Sequence, residues 1–396
     1  MKFSLSSDQT ALLDNVTRYC TENYDLKSRA SILSSPEGFS RKHWATYAEL
    51  GWLGAAFPED VGGTDGSTLE SSVILGQFGR HLVAEPYWAY VVFAGQLINF
   101  CASPQQRREL LAPIVEGKLL MSVAHGEFES HGNIQHVTTT ASKQPGGYLL
   151  KGRKSLVFGG PNADKLIVSA RIHGNVDSGV GISLFIVDRD ASGLTRRDYR
   201  MIDGTPTSDL ALDNVLVTES ALLGPPGGAI DALQFAHDHA TVALCAEAVG
   251  AMDGVLWTTR DYLRLRRQYG ITLNTLQALQ HRMADMFAEV ELSRSILFRA
   301  LSLLNDPNPA SRHIGALSAK VHVGQSGKFV CKNGVQLHGG LGMTEEHIVG
   351  QYFKRVSVIS NTFGTLQHQI NECVELLTNE SIPGGQTDFT PQRKSA

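Results

Sequence analysis

Cysteine is scarce and scattered in this chain. The five residues, at 20, 101, 245, 331 and 373, stand far apart and form neither a Cys-x-x-Cys pair nor a Cys/His ligand spacing. That excludes a disulfide framework and a zinc module, and it leads us to expect reduced, buried thiols in a cytoplasmic protein without a metal site. Charge of one sign is missing too. Thirty-five basic residues face 39 acidic ones, the net charge is −4, and no long run of either sign occurs. Nucleic acid and an anionic membrane surface are therefore poor candidates for the main partner. No stretch reaches the roughly 18 uninterrupted apolar residues of a membrane span. The start, Met1-Lys-Phe-Ser-Leu-Ser-Ser-Asp8, is polar and lacks the apolar core of a signal peptide.

What is present is enough apolar material for a large core. Hydrophobic residues make up 42% and charged residues 19% of 396 residues. At roughly 150 residues per domain, two or three domains are expected. The patterns divide the chain as α+β multidomain. Residues 1–118 read as helical: Ser7-Asp8 caps a run with Leu12, Leu13, Val16, Tyr19 and Cys20 at helical spacing, and Leu69–Phe78, Tyr87–Phe100 and Arg107–Glu116 continue it. Residues 119–223 change texture to short β-forming runs broken by Gly, Asn, Pro or Asp, which predicts an antiparallel β-barrel or sandwich. After the linker Gly224-Pro-Pro-Gly-Gly228, residues 224–382 read as a four-helix bundle, with helices over 230–266, 275–305, 311–336 and 367–377. Residues 383–396 are rich in Pro, Gly, Gln, Ser and Lys and are expected to form a flexible tail. A cleft between the second and third domains is the expected ligand site.

One stretch within the last domain carries chemistry. In Val335-Gln-Leu-His-Gly-Gly-Leu-Gly-Met343, three glycines follow a long helical pattern. Glycine permits positive φ and close approach of a ligand to backbone N–H groups, and such freed groups suit an anion, a pyrophosphate above all. A plain helix–helix connection would use the same residues. Arg266-Arg-Gln-Tyr-Gly270 supplies a guanidinium suited to phosphate oxygens.

Several motifs in fixed order resolve the choice: Pro58-Glu-Asp-Val-Gly-Gly63, Arg267-Gln-Tyr-Gly270 with Gln277-Ala-Leu-Gln280-His281, Gln336-Leu-His-Gly-Gly340 with Gly342, and Gly364-Thr365-x-Gln367. Over nearly its whole length the chain resembles the acyl-CoA dehydrogenase family. The resemblance implies FAD as cofactor, an acyl-CoA thioester as substrate, and removal of an α-proton to a carboxylate base with hydride transfer from the β-carbon. It implies one FAD across a subunit interface. Arg267 would meet the pyrophosphate and Tyr269 would pack on the cofactor. Gln336, Gly339 and Gly340 would bind the adenosine pyrophosphate part, and Thr365 and Gln367 its neighbourhood.

The chain also departs from the family pattern. Where the family usually reads Tyr-Glu-Gly-Thr and the Glu is the base, this chain has Thr362-Phe363-Gly364-Thr365. The alternative base position on the first long bundle helix falls on Ala240, beside His237, Asp238 and His239; Asp238 could serve as a displaced base. The flavin-holding segments correspond to Gly126-Glu127-Phe-Glu-Ser-His-Gly-Asn133 and Leu156-Val157-Phe158, with Phe158 where the family has a hydroxyl. Residues that would grip FAD from a neighbouring subunit remain, while ring contacts and base are altered. This pattern resembles one subunit of a hetero-oligomer (α2β2) acting on bulky or unusual acyl-CoAs, such as steroid side-chain or dicarboxylic thioesters, with electron-transfer flavoprotein or a similar acceptor as electron partner. A homotetramer using Asp238, a purely stabilising subunit, and a flavin monooxygenase or nitroalkane-oxidase-like relative are the alternatives.

Overall fold

The first helix, α1 (Ser7–Asn23), begins at a reciprocal cap one residue earlier than expected: Ser6 Oγ accepts from Gln9 N at 3.1 Å, and Ser6 N donates to Gln9 Oε1 at 2.9 Å. The computed structural model describes residues 5–380; the expected tail at 383–396 lies outside the described residues. Helices α2 (Leu26–Ser34), α3 (Arg41–Glu49) and α4 (Thr68–His81) follow. The run expected as one helix over 87–100 is instead a π-helical stretch, Trp88–Gly95, leading into α5 (Gln96–Cys101). Every residue of Trp88–Gly95 is buried, so the segment is apolar all round rather than amphipathic. Helix α6 (Pro104–Val115) completes this layer.

The middle layer is a sheet of β1 (Met121–Ala124), β2 (Thr140–Gln144), β3 (Gly147–Phe158), β4 (Lys165–Arg171), β5 (Ile182–Asp188), β6 (Leu194–Arg200), β7 (Pro206–Thr218) and β8 (Leu222–Leu223). The strand order is β6-β7-β3-β2-β4-β5-β8, with β1 beside β4. It corrects the expectation of a closed antiparallel barrel in two ways. The sheet ends at β6 and β8 and so stays open, and β1 and β2 each pair with β4 in parallel. The edge strand β6 reads Leu-Thr-Arg-Arg-Asp-Tyr-Arg, and such charge disfavours further pairing. Strand β2 starts only at Thr140, although the β-forming run Val137-Thr-Thr-Thr-Ala141 begins earlier, because the N–H groups of Thr138 and Thr139 go to the Glu127 carboxylate, at 2.7 and 3.1 Å. Alternation along β4 sends Leu166, Val168 and Ala170 into a core within the sheet and Ile167 into the helical core.

Among the described residues the last layer contains five α-helices where four were expected: α7 (Ile230–Leu265), α8 (Gln277–Leu303), α9 (Pro309–His338), α10 (Ile348–Asn361) and α11 (Leu366–Glu380). A small hairpin of β9 (Arg267–Gln268) and β10 (Ile271–Thr272) joins α7 to α8. Helix α7 is long and apolar enough to cross a membrane, but the window that passes this test is 94% buried inside the fold. It crosses α4 at near backbone contact: a Cβ on Gly79 would lie 1.8 Å from Glu247 O, and one on Gly250 would lie 1.8 Å from Gly76 O.

A buried ion cluster pins the three layers. Arg355 on α10 donates Nε to Glu247 Oε1 at 2.5 Å and Nη2 to Glu247 Oε2 at 2.9 Å, on α7. Its Nη1 reaches Asp203 Oδ2, in the β6–β7 turn, at 2.9 Å. Arg29 on α2 donates to Asp203 O and Leu82 O.

Candidate functional site

Where the open sheet meets the π-helical stretch, α7 and the turn before α11, a chamber of about 710 Å³ remains. Aromatic rings form much of its wall. Trp88 meets Phe158 and Phe363 at centroid distances of 5.1 and 5.8 Å; Phe93 meets Phe363 at 5.2 Å, and His237 meets it at 4.3 Å. Phe363 has a φ of +66°, a conformation a bulky side chain rarely adopts. Its turn is fixed from both sides. Thr362 N and Oγ1 donate to Val358 O, and Gln369 Nε2 donates to Gly364 O at 3.0 Å. A Cβ on Gly132 would lie 2.7 Å from Gly364 Cα, so only glycine lets these two loops cross this closely.

Two carboxylates line the chamber, and both are engaged. Glu127 accepts from the N–H and hydroxyl groups of Thr138 and Thr139 and from Lys154 Nζ at 2.7 Å. Burial alone would raise its pKa, but the Lys154 ammonium and these donors hold it down at about 2. Lys154 is itself pushed down to about 8 by burial, against the pull of Glu127. Asp209 Oδ1 accepts from Leu156 N at 3.3 Å and Tyr199 OH at 2.9 Å. Burial also lowers His125 to about 3 and His237 to about 4, so both imidazoles are neutral near pH 7.

Asp238 does not line the chamber. It lies in a small buried pocket, where Oδ1 accepts from Gln234 Nε2 at 2.9 Å and lies 2.7 Å from His313 Nδ1. Arg312 Nε stands 3.5 Å from Oδ2, and His313 Nε2 continues to Glu372 Oε1 at 3.1 Å. A carboxylate bound on this scale within its own helices lacks the free approach that a proton acceptor needs. One residue earlier, on the same helix, His237 faces the chamber.

A second, more open site of about 750 Å³ lies at the end of α9. Gln336, Gly339 and Gly340 line it, together with Arg266, Gln268 and Arg282. A side chain at either glycine would meet nothing within 4 Å, so the backbone is open to a ligand. Arg267 and Tyr269 flank Gln268 on the adjoining hairpin; Tyr269 is 90% exposed with a φ of +53°. Of the residues expected at a cofactor, Gln336, Gly339 and Gly340 line this groove, while Arg267 and Tyr269 lie on the adjoining hairpin outside its lining. Thr365 lines the aromatic chamber instead. Gln367 lies on exposed α11, with its amide on Asn371 Oδ1 at 2.9 Å. The sequence reading missed Trp88, Phe93, Lys154 and His237. For Trp88 no local pattern distinguishes a chamber residue from a core one, and Lys154 lies buried behind the chamber wall on Glu127.

An apolar chamber and a cationic groove lie on one helix–sheet–helix scaffold. Family models for the N-terminal, middle and C-terminal domains of acyl-CoA dehydrogenase match residues 6–118, 126–215 and 230–377. The chain belongs to the acyl-CoA dehydrogenase family, whose members are FAD-dependent oxidoreductases acting on CH–CH bonds. Benzylmalonyl-CoA dehydrogenase of Aromatoleum aromaticum is 25% identical over 362 residues, covering 90% of this chain and 94% of that protein. The solved steroid acyl-CoA dehydrogenase Tcur3481–Tcur3483, in a variant form, is 30% identical with a TM-score of 0.86, covering 95% of this chain and 99% of that one. The ChsE4–ChsE5 complex of Mycobacterium tuberculosis shares the fold, with a TM-score of 0.87 at 23% identity, covering 97% and 100%.

The two sites answer the demands of FAD differently. The groove presents two arginines, two glutamines and open glycine backbone with no carboxylate among its described lining residues, a donor set that fits a pyrophosphate. The chamber presents Phe158 and Phe363, phenyl rings that can neither hydrogen-bond a flavin nor take a proton.

Proposed function

We propose that this chain is one subunit of a hetero-oligomeric acyl-CoA dehydrogenase, α2β2, that desaturates a bulky or unusual acyl-CoA, such as a steroid side-chain or dicarboxylic thioester. In this reading Arg267, Tyr269, Gln336, Gly339 and Gly340 complete an FAD site whose ring contacts and base belong to the second subunit. Bound there, FAD supplies the hydride acceptor. Arg267 neutralises phosphate charge, and the bare backbone at Gly339 and Gly340 lets the ligand approach. Thr365 and Gln367 take supporting positions. The electron acceptor is electron-transfer flavoprotein or a similar carrier, and the location is the cytoplasm.

One observation carries the reading. Phe363 lines the chamber where the family resemblance puts the usual base, and Glu127 on the same wall is held by Lys154 and two threonines. The two-component name of the steroid relative at 30% identity supports it. The Asp238 homotetramer fares worse, because that carboxylate is committed to His313 and lies off the chamber. The test is a visible spectrum of the chain purified alone, with native mass spectrometry. A colourless preparation that gains FAD only with a second subunit supports the proposal. One FAD per subunit in a homotetramer that turns over acyl-CoA sinks it.

A further inference from the structure

If the chamber of this chain performs no chemistry, it is still not sealed. Most polar groups on its wall are satisfied within the protein. Glu127 accepts on both oxygens, Asp209 Oδ1 accepts from Leu156 N and Tyr199 OH, His125 Nδ1 lies 2.9 Å from Ser169 Oγ, and Ser130 Oγ donates to Glu127 O. His237 differs. Its Nδ1 is buried without a hydrogen-bond partner, while the ring lies against Phe363 and lines the chamber. A buried acceptor left unpaired costs less than a buried N–H left unpaired, so Nδ1 is the bare nitrogen and the proton resides on Nε2. Neutrality of the ring follows from its burial, which brings its pKa to about 4.

We propose that His237 is the specificity-determining contact of this chamber, donating Nε2–H to an acceptor oxygen on a neutral, largely apolar ligand. The ligand class is an aromatic or fused-ring group bearing a ketone-type oxygen. Trp88, Phe93, Phe158 and Phe363 provide ring faces and edges for the apolar part, and about 710 Å³ suits a drug-sized molecule. A plain hydrocarbon of the same shape would leave the imidazole N–H unpaired, and such a site discriminates against it. The inference rests on the reading that this chamber is chemically silent, and it adds what the chamber recognises.

The test uses the full chain and two matched probes, 2-acetylnaphthalene and 2-isopropylnaphthalene, titrated by calorimetry. The ketone is expected to bind about tenfold more tightly, one hydrogen bond's worth. His237→Phe keeps an aromatic ring against Phe363 and is expected to bring the ratio to about one; His237→Asn, which keeps a donor, is expected to restore part of it. The infrared carbonyl stretch of ¹³C-labelled ketone should move to lower wavenumber in the wild type and not in His237→Phe. An equal ketone preference in both proteins, or no binding of either probe to the folded wild type, overturns the inference. Acyl-CoA turnover by the isolated chain would overturn the silent-chamber reading separately, and the His237-dependent ratio would still decide this one.

Discussion

His313 Nδ1 lies 2.7 Å from Asp238 Oδ1, deep between α7 and α9, and the other ring nitrogen reaches Glu372 on α11. Burial alone would lower the histidine's pKa, but two carboxylates raise it to about 9. A raised folded value means the stabilisation is complete below the ordinary histidine value near 6.5, and it disappears as pH climbs through about 9. Its size is on the order of 3 kcal/mol. Thermal melts from pH 6 to 10 should show a falling Tm in the wild type and a much flatter profile in His313→Gln.

Asp238→Asn removes one side of that buried pair. The expected loss is about 3–5 kcal/mol of stability, the range for a broken buried ion pair. In an assembled, flavin-loaded complex, turnover per bound FAD should not change. Loss of turnover with full FAD content would restore Asp238 as a proton acceptor.

Arg267→Ala should weaken FAD retention by the mixed complex roughly 10- to 100-fold, as expected for losing one charge-assisted contact of about 1.5–3 kcal/mol. Flavin absorbance during stepwise dilution measures it. Unchanged flavin content would favour a purely stabilising subunit.

Phe363→Ala should cost stability through the lost ring contacts with Trp88, Phe93 and His237, by about 1–3 kcal/mol. The mixed complex should keep its turnover number, since no proton passes through a phenyl ring. Chemical denaturation and steady-state assays on the same sample separate the two effects.

Gly79→Ala places a methyl carbon 1.8 Å from a backbone oxygen of α7. Helix axes must separate to admit it, and the cost should be at least about 3 kcal/mol. Failure to see a Tm drop of several degrees would mean that α4 and α7 are less tightly joined than described.

Much of this fold was legible. Helical spacing at Leu12, Val16 and Cys20, the β-forming runs after residue 119 and the linker at Gly224–Gly228 all marked real changes of structure. Part of the groove was legible, because Gln336, Gly339 and Gly340 stand in one short stretch, whereas Arg282 reaches it only through the packing of α8 on α9. Sheet closure was not, since period-two patterns fix which face a residue takes and say nothing about which strands become edges. Helix α10 was not among the expected helices, and the role of its Arg355 shows only in the pairing with Glu247, more than a hundred residues away. His237 escaped for the opposite reason: it sits between Ala236 and Asp238 on an apolar helix, and only tertiary packing shows which of these neighbours turns to the chamber.

The Arg355 cluster joins side chains from four separate segments, at 29, 203, 247 and 355, all buried. Recombination between this chain and a relative at a domain boundary would separate charges that are stable only together, because an orphaned buried charge is far costlier than the intact set. The unit of inheritance here is therefore the whole three-layer body.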